Sequence, residues 1–258
     1  MDLSEQLPLK VDSLTKGFGG NPVIREVSFS VKSGEIVGLL GPNGSGKSTT
    51  LHCITGLHEP SSGSIEISGN PRDSKSAKNE LGFFPDDLPY PVSLTARETI
   101  SFYRNLRPYF DDILVKGLVQ VLGLEKHLDK QIGDYSHGMR RKLQLVLALA
   151  HHPSCLILDE PLRGLDPEAA ILMEATINQF RENGGGVLIA THDLLSAQNF
   201  CDYVVILSNG TVVAKGTPQS IISETKSKSL SEALIALTGL DNKIKIARKE
   251  ISDLLGYR

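Results

Sequence analysis

Residues 35–50 read EIVGLLGPNGSGKSTT, and this stretch decides the fold. Its opening six residues, EIVGLL, form a short apolar run with the character of a β-strand. Gly41-Pro42-Asn43-Gly44-Ser45-Gly46-Lys47-Ser48 then fits G-x-x-x-x-G-K-[ST], and the helical stretch TTLHCITGL follows at 49–57. Glycines leave no Cβ between backbone N–H groups and phosphate oxygens, and the helix behind them points its positive end at the same anion. In such a cradle Lys47 reaches the β- and γ-phosphates, and Ser48 offers its hydroxyl to Mg2+. A flexible Gly/Ser turn is the bland alternative, but it does not require a strand before it and a helix after it. The stretch is read as a nucleotide site on an α/β scaffold.

On the N-terminal side, PLKVDSL (8–14) and VIREVSFSV (23–31) read as strands separated by the turn signal GFGGNP. Further along, SIEISG (64–69) and LGFFP (81–85) read as strands, and the prolines of DDLPYP (86–91) predict a loop. From Leu94 to about His152 the period becomes helical, in LTARETISFYRNL, DDILVKGLVQVLGL and GMRRKLQLVLALA. CLILD (155–159) and GVLIATH (186–192) are apolar runs typical of strands buried on both faces. Between them PEAAILMEATINQFRENGG reads as a helix with Pro167 in its first turn. DYVVILSNGTVVAKG predicts a hairpin turning at Asn209-Gly210. The order implies a nucleotide-binding domain over 1–222 with a helical lobe at about 86–152, and a C-terminal helical extension over 223–258. In that extension the polar ETKSKS precedes an amphipathic KIKIARKEISDLLGYR.

A chain of 258 residues with 40% apolar and 22% charged residues is ordinary for a globular protein. A net charge of −3 argues against a protein that coats nucleic acid. Cys53, Cys155 and Cys201 lack metal-ligand spacing and read as reduced thiols of a cytosolic protein. MDLSEQLPLK lacks the layout of a signal peptide, and LQLVLALA (143–150) falls far short of the ~20 residues that span a bilayer. Any membrane role is expected to come through a partner.

Two further stretches carry chemistry. CLILDE ends a strand in two carboxylates. Mg2+ prefers water plus one or two carboxylates, which suits Asp159, while Glu160 can hold or deprotonate an attacking water; two solvated acids at a strand end are the alternative. In YSHGMRRK (135–142), Ser136 is suited to cap the helix through LQLVLALA, and Gly138 leaves first-turn N–H groups open. Arg140, Arg141 and Lys142 are expected on a solvated helix face rather than in a nucleic-acid patch.

GPNGSGKST, YSHGM, CLILDEP, RGLD and ATHD occur in the order seen in ATP-binding cassette (ABC) ATPases, and the resemblance covers about residues 8–220. The signature is most similar to that of bacterial exporter-type nucleotide-binding subunits, which often read YS-x-GM. The resemblance implies a P-loop NTPase (RecA-like) α/β core with an antiparallel β subdomain and a helical signature subdomain. It implies that Phe18 stacks on adenine, and that Gly41, Pro42, Asn43, Gly44, Ser45, Gly46, Lys47, Ser48 and Thr49 hold the phosphates. Asp159 then supports Mg2+ with Ser48, Glu160 is the general base, and His192 contacts the γ-phosphate and orients the attacking water. Asp166 lies in the loop that communicates across a dimer, and Ser136 and Gly138 face the γ-phosphate held by a second subunit.

One position departs from the family. Members usually carry glutamine after the strand that LGFFP resembles, and here that position is Asp86. A carboxylate accepts from metal-bound water but cannot donate as an amide does. Asp86 is read either in the outer shell of the metal or as a shaper of the loop. The function implied is an ATP-hydrolysing subunit that dimerises head-to-tail around two Mg-ATP, as a homodimer or with another cassette, and drives a separate transmembrane permease, as an exporter, from the cytoplasmic face of the membrane. The alternative is a soluble, non-transport ABC ATPase serving an assembly or regulatory complex.

Overall fold

In the computed structural model, residues 7–86 and 91–256 are described. The chain begins with β1 (Leu9–Phe18) and β2 (Asn21–Val31), followed by β3 (Ile36–Leu40) and α1 (Lys47–Ile54). Next come β4 (Ser62–Ile67), β5 (Asn70–Pro71), α2 (Lys75–Asn79) and β6 (Leu81–Phe84). A helical lobe holds α3 (Ala96–Leu106), α4 (Asp112–Val121) and α5 (His137–Leu149). The chain then alternates through β7 (Cys155–Asp159), α6 (Pro167–Glu182), β8 (Gly186–Ala190), α7 (Leu194–Phe200), β9 (Tyr203–Ser208) and β10 (Thr211–Gly216). It closes with α8 (Pro218–Glu224), α9 (Leu230–Thr238) and α10 (Leu240–Leu255).

The strands form two sheets. The first is antiparallel in the order β2-β1-β4-β5, and the second runs β10-β9-β3-β8-β7-β6, parallel except for β10. In β1, Leu9, Val11 and Leu14 are buried; a register shift at Ser13, whose φ is 50°, turns Leu14 inward where strict alternation would not. β3, β8 and the first four residues of β7 are buried on both faces, as their unbroken apolar runs require. The β9–β10 turn has positive φ at both Asn209 (48°) and Gly210 (82°), the two-residue geometry that matches strand twist.

One core lies between the antiparallel sheet and the near face of the parallel sheet, around Leu9, Ile24, Leu51 and Ile157. A second packs the helices against the far face, and a third fills the helical lobe. Helix α5 belongs to both of the latter. Leu145, Ala148 and Leu149 join the far-face core, whereas Leu143, Val146 and Ala150 join the lobe. A helix buried nearly all round couples the lobe to the sheet.

The C-terminal stretch holds more structure than its composition suggests. ETKSKS joins two helices, and Leu230, Ala233 and Leu234 of α9 are buried in the far-face core beside Ile206 and Ala197. Along α10, Ile246, Ile251, Leu254 and Leu255 are exposed. Of the loop expected at 86–91, Asp86 and Pro91 are described, and 87–90, including Asp87, lie outside the described residues.

Candidate active site

The parallel sheet brings four strand ends together. Register pairs Leu39 of β3 and Asp159 of β7 with Ala190 of β8, and pairs Phe84 of β6 with Leu158. The carboxyl ends of β3, β8, β7 and β6 therefore deliver Gly41, Thr191-His192, Glu160 and Pro85-Asp86 to one edge, where open α/β sheets bind ligands.

The loop after β3 takes the shape its glycines allow. A Cβ on Gly41 (φ 151°) would lie 2.3 Å from the Leu207 carbonyl oxygen, and one on Gly46 (φ 106°) 2.4 Å from Ile24 Cγ2. No side chain caps α1, which begins at Gly46, so its first N–H groups stay open toward the loop. Lys47 Nζ donates to the Gly41 carbonyl at 2.7 Å and to that of Pro42 at 3.3 Å, folding the lysine over the loop. Asn43, Gly44 and Ser48 are exposed, Pro42 and Thr49 half-buried, and Ser45 is buried at 2%. Burial lowers the Lys47 pKa, against the attraction of Glu160 and Asp159. At the end of β1, Phe18 is 45% exposed, with the Lys16 ammonium 4.8 Å from its ring centre and His58 edge-on at 5.2 Å.

Glu160 is held on several sides. Its φ is 49°, a left-handed conformation that costs a residue with a Cβ roughly 1–2 kcal/mol. Its backbone N–H donates to the Ala190 carbonyl at 2.8 Å. Its carboxylate accepts from Thr191 Oγ1 at 3.0 Å and from the His192 N–H at 3.0 Å, and lies 2.7 Å from His192 Nδ1. Asp159, one residue earlier, is half-buried. Its pKa is pushed up to about 6 by burial first and by the neighbouring charges of Asp86 and Glu160, against Arg141 and Lys47.

Asp86 sits away from bare solvent, with Oδ2 accepting from Arg163 Nη1 at 2.6 Å and Oδ1 4.0 Å from Arg141 Nη1. Ser136 caps α5, its Oγ accepting from the Met139 N–H at 3.2 Å. A Cβ on Gly138 would be 3.9 Å from Asp166 Oδ2, and His137 Nε2 lies 3.1 Å from the Arg163 carbonyl oxygen. Asp166 caps α6 in turn, Oδ1 accepting from the Ala169 N–H at 2.9 Å.

Arg141 overturns the expectation of a solvated cationic face. It is 2% exposed, because α5 turns residues 141, 145 and 148 toward the sheet. Its Nη1 donates to the Pro85 and Asp86 carbonyls at 2.9 and 2.8 Å; its Nη2 donates to those of Asp159, at 3.2 Å, and Glu160. The Phe84 ring lies 4.2 Å from the guanidinium carbon. The spacing of Arg141 to Leu145 and Ala148 was the available sequence signal. Thr191 and Arg163 also touch site residues, and a single sequence gives no sign that Arg163 pairs with Asp86.

A model of the ABC transporter family matches residues 24–163. The chain is 36% identical over 220 residues to Nod factor export ATP-binding protein I of Burkholderia lata, covering 83% of this chain and 72% of that protein. It is 34% identical over 240 residues to the ABC-type transporter ATP-binding protein EcsA of Bacillus subtilis, covering 90% and 97%. Among solved structures, an ATP-binding subunit of an ABC transporter superposes with a TM-score of 0.83 at 33% identity, over 89% of this chain and 99% of that one. The chain belongs to the ABC transporter family. Its cassette has the P-loop NTPase fold, and it is an ATP-hydrolysing, ATP-binding subunit.

Proposed function

We propose that two copies of this chain close head-to-tail around two Mg-ATP and that this closure drives a separate transmembrane permease, in the direction of export. The observation carrying the dimer is how the parts are divided. Glu160, His192 and the phosphate loop share one sheet edge, whereas at the first turn of α5 His137 meets the Arg163 carbonyl and Gly138 faces Leu165, Asp166 and Ala169. Among the described residues, no hydrogen bond joins Ser136 or Gly138 to residues 41–49. Open N–H groups at a helix start suit a phosphate, and that phosphate belongs to the second copy.

Within each site, residues 41–49 hold the phosphates and Phe18 stacks on adenine. The Ser48 hydroxyl and the Asp159 carboxylate are hard oxygen donors of the kind Mg2+ takes, and they would hold it. When bound, it would supply charge neutralisation at the phosphates. Glu160 takes the proton of the attacking water, with Thr191 and His192 fixing the carboxylate. Asp86 serves the outer shell of the metal only after Arg163 releases it. Asp166 couples the two sites across the dimer.

The export direction rests on the YSHGM signature and on a relative whose name is that of an export protein. Attachment to the cytoplasmic face through a partner rests on family membership; no described helix is long and apolar enough to cross a membrane. We assign residues 1–222 to the cassette and 223–258 to an extension that is anchored on it through α9.

The test is the mass of the Glu160→Gln chain in solution with saturating Mg-ATP. A dimer is expected, returning to monomer when Ser136→Arg is added. A dimer indifferent to Ser136→Arg, or no dimer at all, overturns the arrangement. Transport is checked by reconstituting the chain with the multi-spanning protein that purifies with it from membranes.

A further inference from the structure

We infer that Arg141 is a positioning residue for hydrolysis: it locks the backbone of Glu160 and the Asp86 turn to the signature helix, so that all three move as one body. This rests on the reading of Glu160 as the base.

The geometry closes a ring of three segments. From α5, Arg141 donates to the carbonyls of residues 159 and 160 on one side and of 85 and 86 on the other. From the loop after Glu160, Arg163 donates to the Asp86 carboxylate, and its own carbonyl meets His137 at the start of α5. A planar guanidinium with a fixed fork of donors can bind two pairs of carbonyls at once, which an ammonium cannot. Burying such a charge is costly unless it is paired and its protons are satisfied, so a 2% exposed arginine that holds four backbone oxygens beside the Asp86 carboxylate marks a place whose geometry matters. The Phe84 ring against the guanidinium supports it from below.

The target of the clamp sharpens the point. Glu160 has a left-handed backbone that persists only where its surroundings over-determine it. Its N–H is tied to Ala190 and its carbonyl to Arg141, and this pair of ties sets where the carboxylate leaves the chain. Ser136 and Gly138 lie on the same helix as Arg141, one turn earlier. A shift of α5 on meeting the second nucleotide therefore pulls on the Glu160 carbonyl directly. The hydrogen bonds described for Arg141 go to residues 85, 86, 159 and 160 and not to residues 41–49, so loss of its fork is expected to act on turnover more than on nucleotide affinity.

The experiment uses the full chain with Mg2+ and the fluorescent analogue TNP-ATP, followed by steady-state ATP hydrolysis. Arg141→Lys keeps charge and stem but not the fork. It is expected to bind one analogue per chain with Kd within threefold of wild type, while turnover per bound site falls at least tenfold. A merely structural role lowers bound sites and rate in proportion and leaves turnover per site intact, which overturns the inference, as does any loss below tenfold. If Arg141→Lys yields no folded protein, Phe84→Leu removes the supporting ring instead, and the same split with at least a threefold fall is required. The two readings fail separately: hydrolysis surviving Glu160→Gln removes the base and Arg141 with it, whereas an inactive Glu160→Gln beside a fully active Arg141→Lys removes only Arg141.

Discussion

The phosphate loop and the foot of α5 are both built on polar contacts to backbone carbonyls, yet they are assembled in opposite ways. Lys47 reaches back six residues to the Gly41 carbonyl, so the lysine and the loop it folds over come from one short stretch of chain. Arg141 reaches carbonyls 56 and 18 residues away, and its surroundings exist only once the sheet has formed. The local site depends on which residues have no Cβ; the assembled one depends on register. Damage to the loop is expected to act on binding, and damage at the α5 junction on turnover.

The largest effect tests the division itself. Glu160→Gln keeps the loop intact and is expected to cut hydrolysis by about 10²–10⁴-fold while ATP still binds, measured by steady-state turnover beside analogue titration. Retained turnover would place the base elsewhere. On the loop side, Gly46→Ala forces a Cβ to within 2.4 Å of Ile24 Cγ2 at φ 106°. A loss of roughly 1–3 kcal/mol in stability and weaker ATP binding are expected. Gly44→Ala, where a Cβ meets no atom within 4 Å, isolates the backbone cost alone and is the milder change on urea unfolding.

The α5 end of the comparison has a pH signature. His151, buried just past α5 with Nε2 3.0 Å from the Leu81 carbonyl oxygen, has its pKa lowered to about 4, by burial first and then by Arg107. The unfolded chain takes up that proton near 6.5 and the native chain only near 4. Stability is thus expected to decline as pH falls from about 6.5 to 4, by an amount on the order of 1–3 kcal/mol. Thermal melts across that window read it, and His151→Gln should flatten the slope.

The smallest effect lies where the two regions meet. Asp86→Asn breaks an ion pair with the exposed Arg163 and removes a charge 4.0 Å from the buried Arg141, so a stability cost of about 1 kcal/mol is expected, read by urea unfolding. It also removes one of the charges that raise Asp159. In the metal-free protein the titration of Asp159 should show its limb near pH 6, read by NMR of the carboxylate, and Asp86→Asn should move that limb to lower pH. A limb that stays in place would disconnect Asp86 from Asp159.

Much of this molecule was legible beforehand because its signals are local. The P-loop, the two buried strands ending at Asp159 and Ala190, the Asn209-Gly210 turn and the Ser136 cap each follow from a few neighbouring residues. Helix α9 lies within the helical extension expected over 223–258, but its burial was not legible behind a polar tract, and only the far-face core shows why Leu230 and Leu234 are apolar.

The sequence by itself determined the nucleotide loop, the order of the main strands and helices up to β10, and the identity of the carboxylates at the sheet edge. These depend on missing Cβ atoms, on period and on position at a strand end. Only the tertiary structure decided that Arg141 is buried rather than solvated, that Arg163 holds Asp86, and that Thr191 and His192 fix Glu160. Those contacts join residues far apart in the chain. What brings them together is the parallel register of β6, β7 and β8, with α5 packed against it, and no short stretch of sequence encodes that.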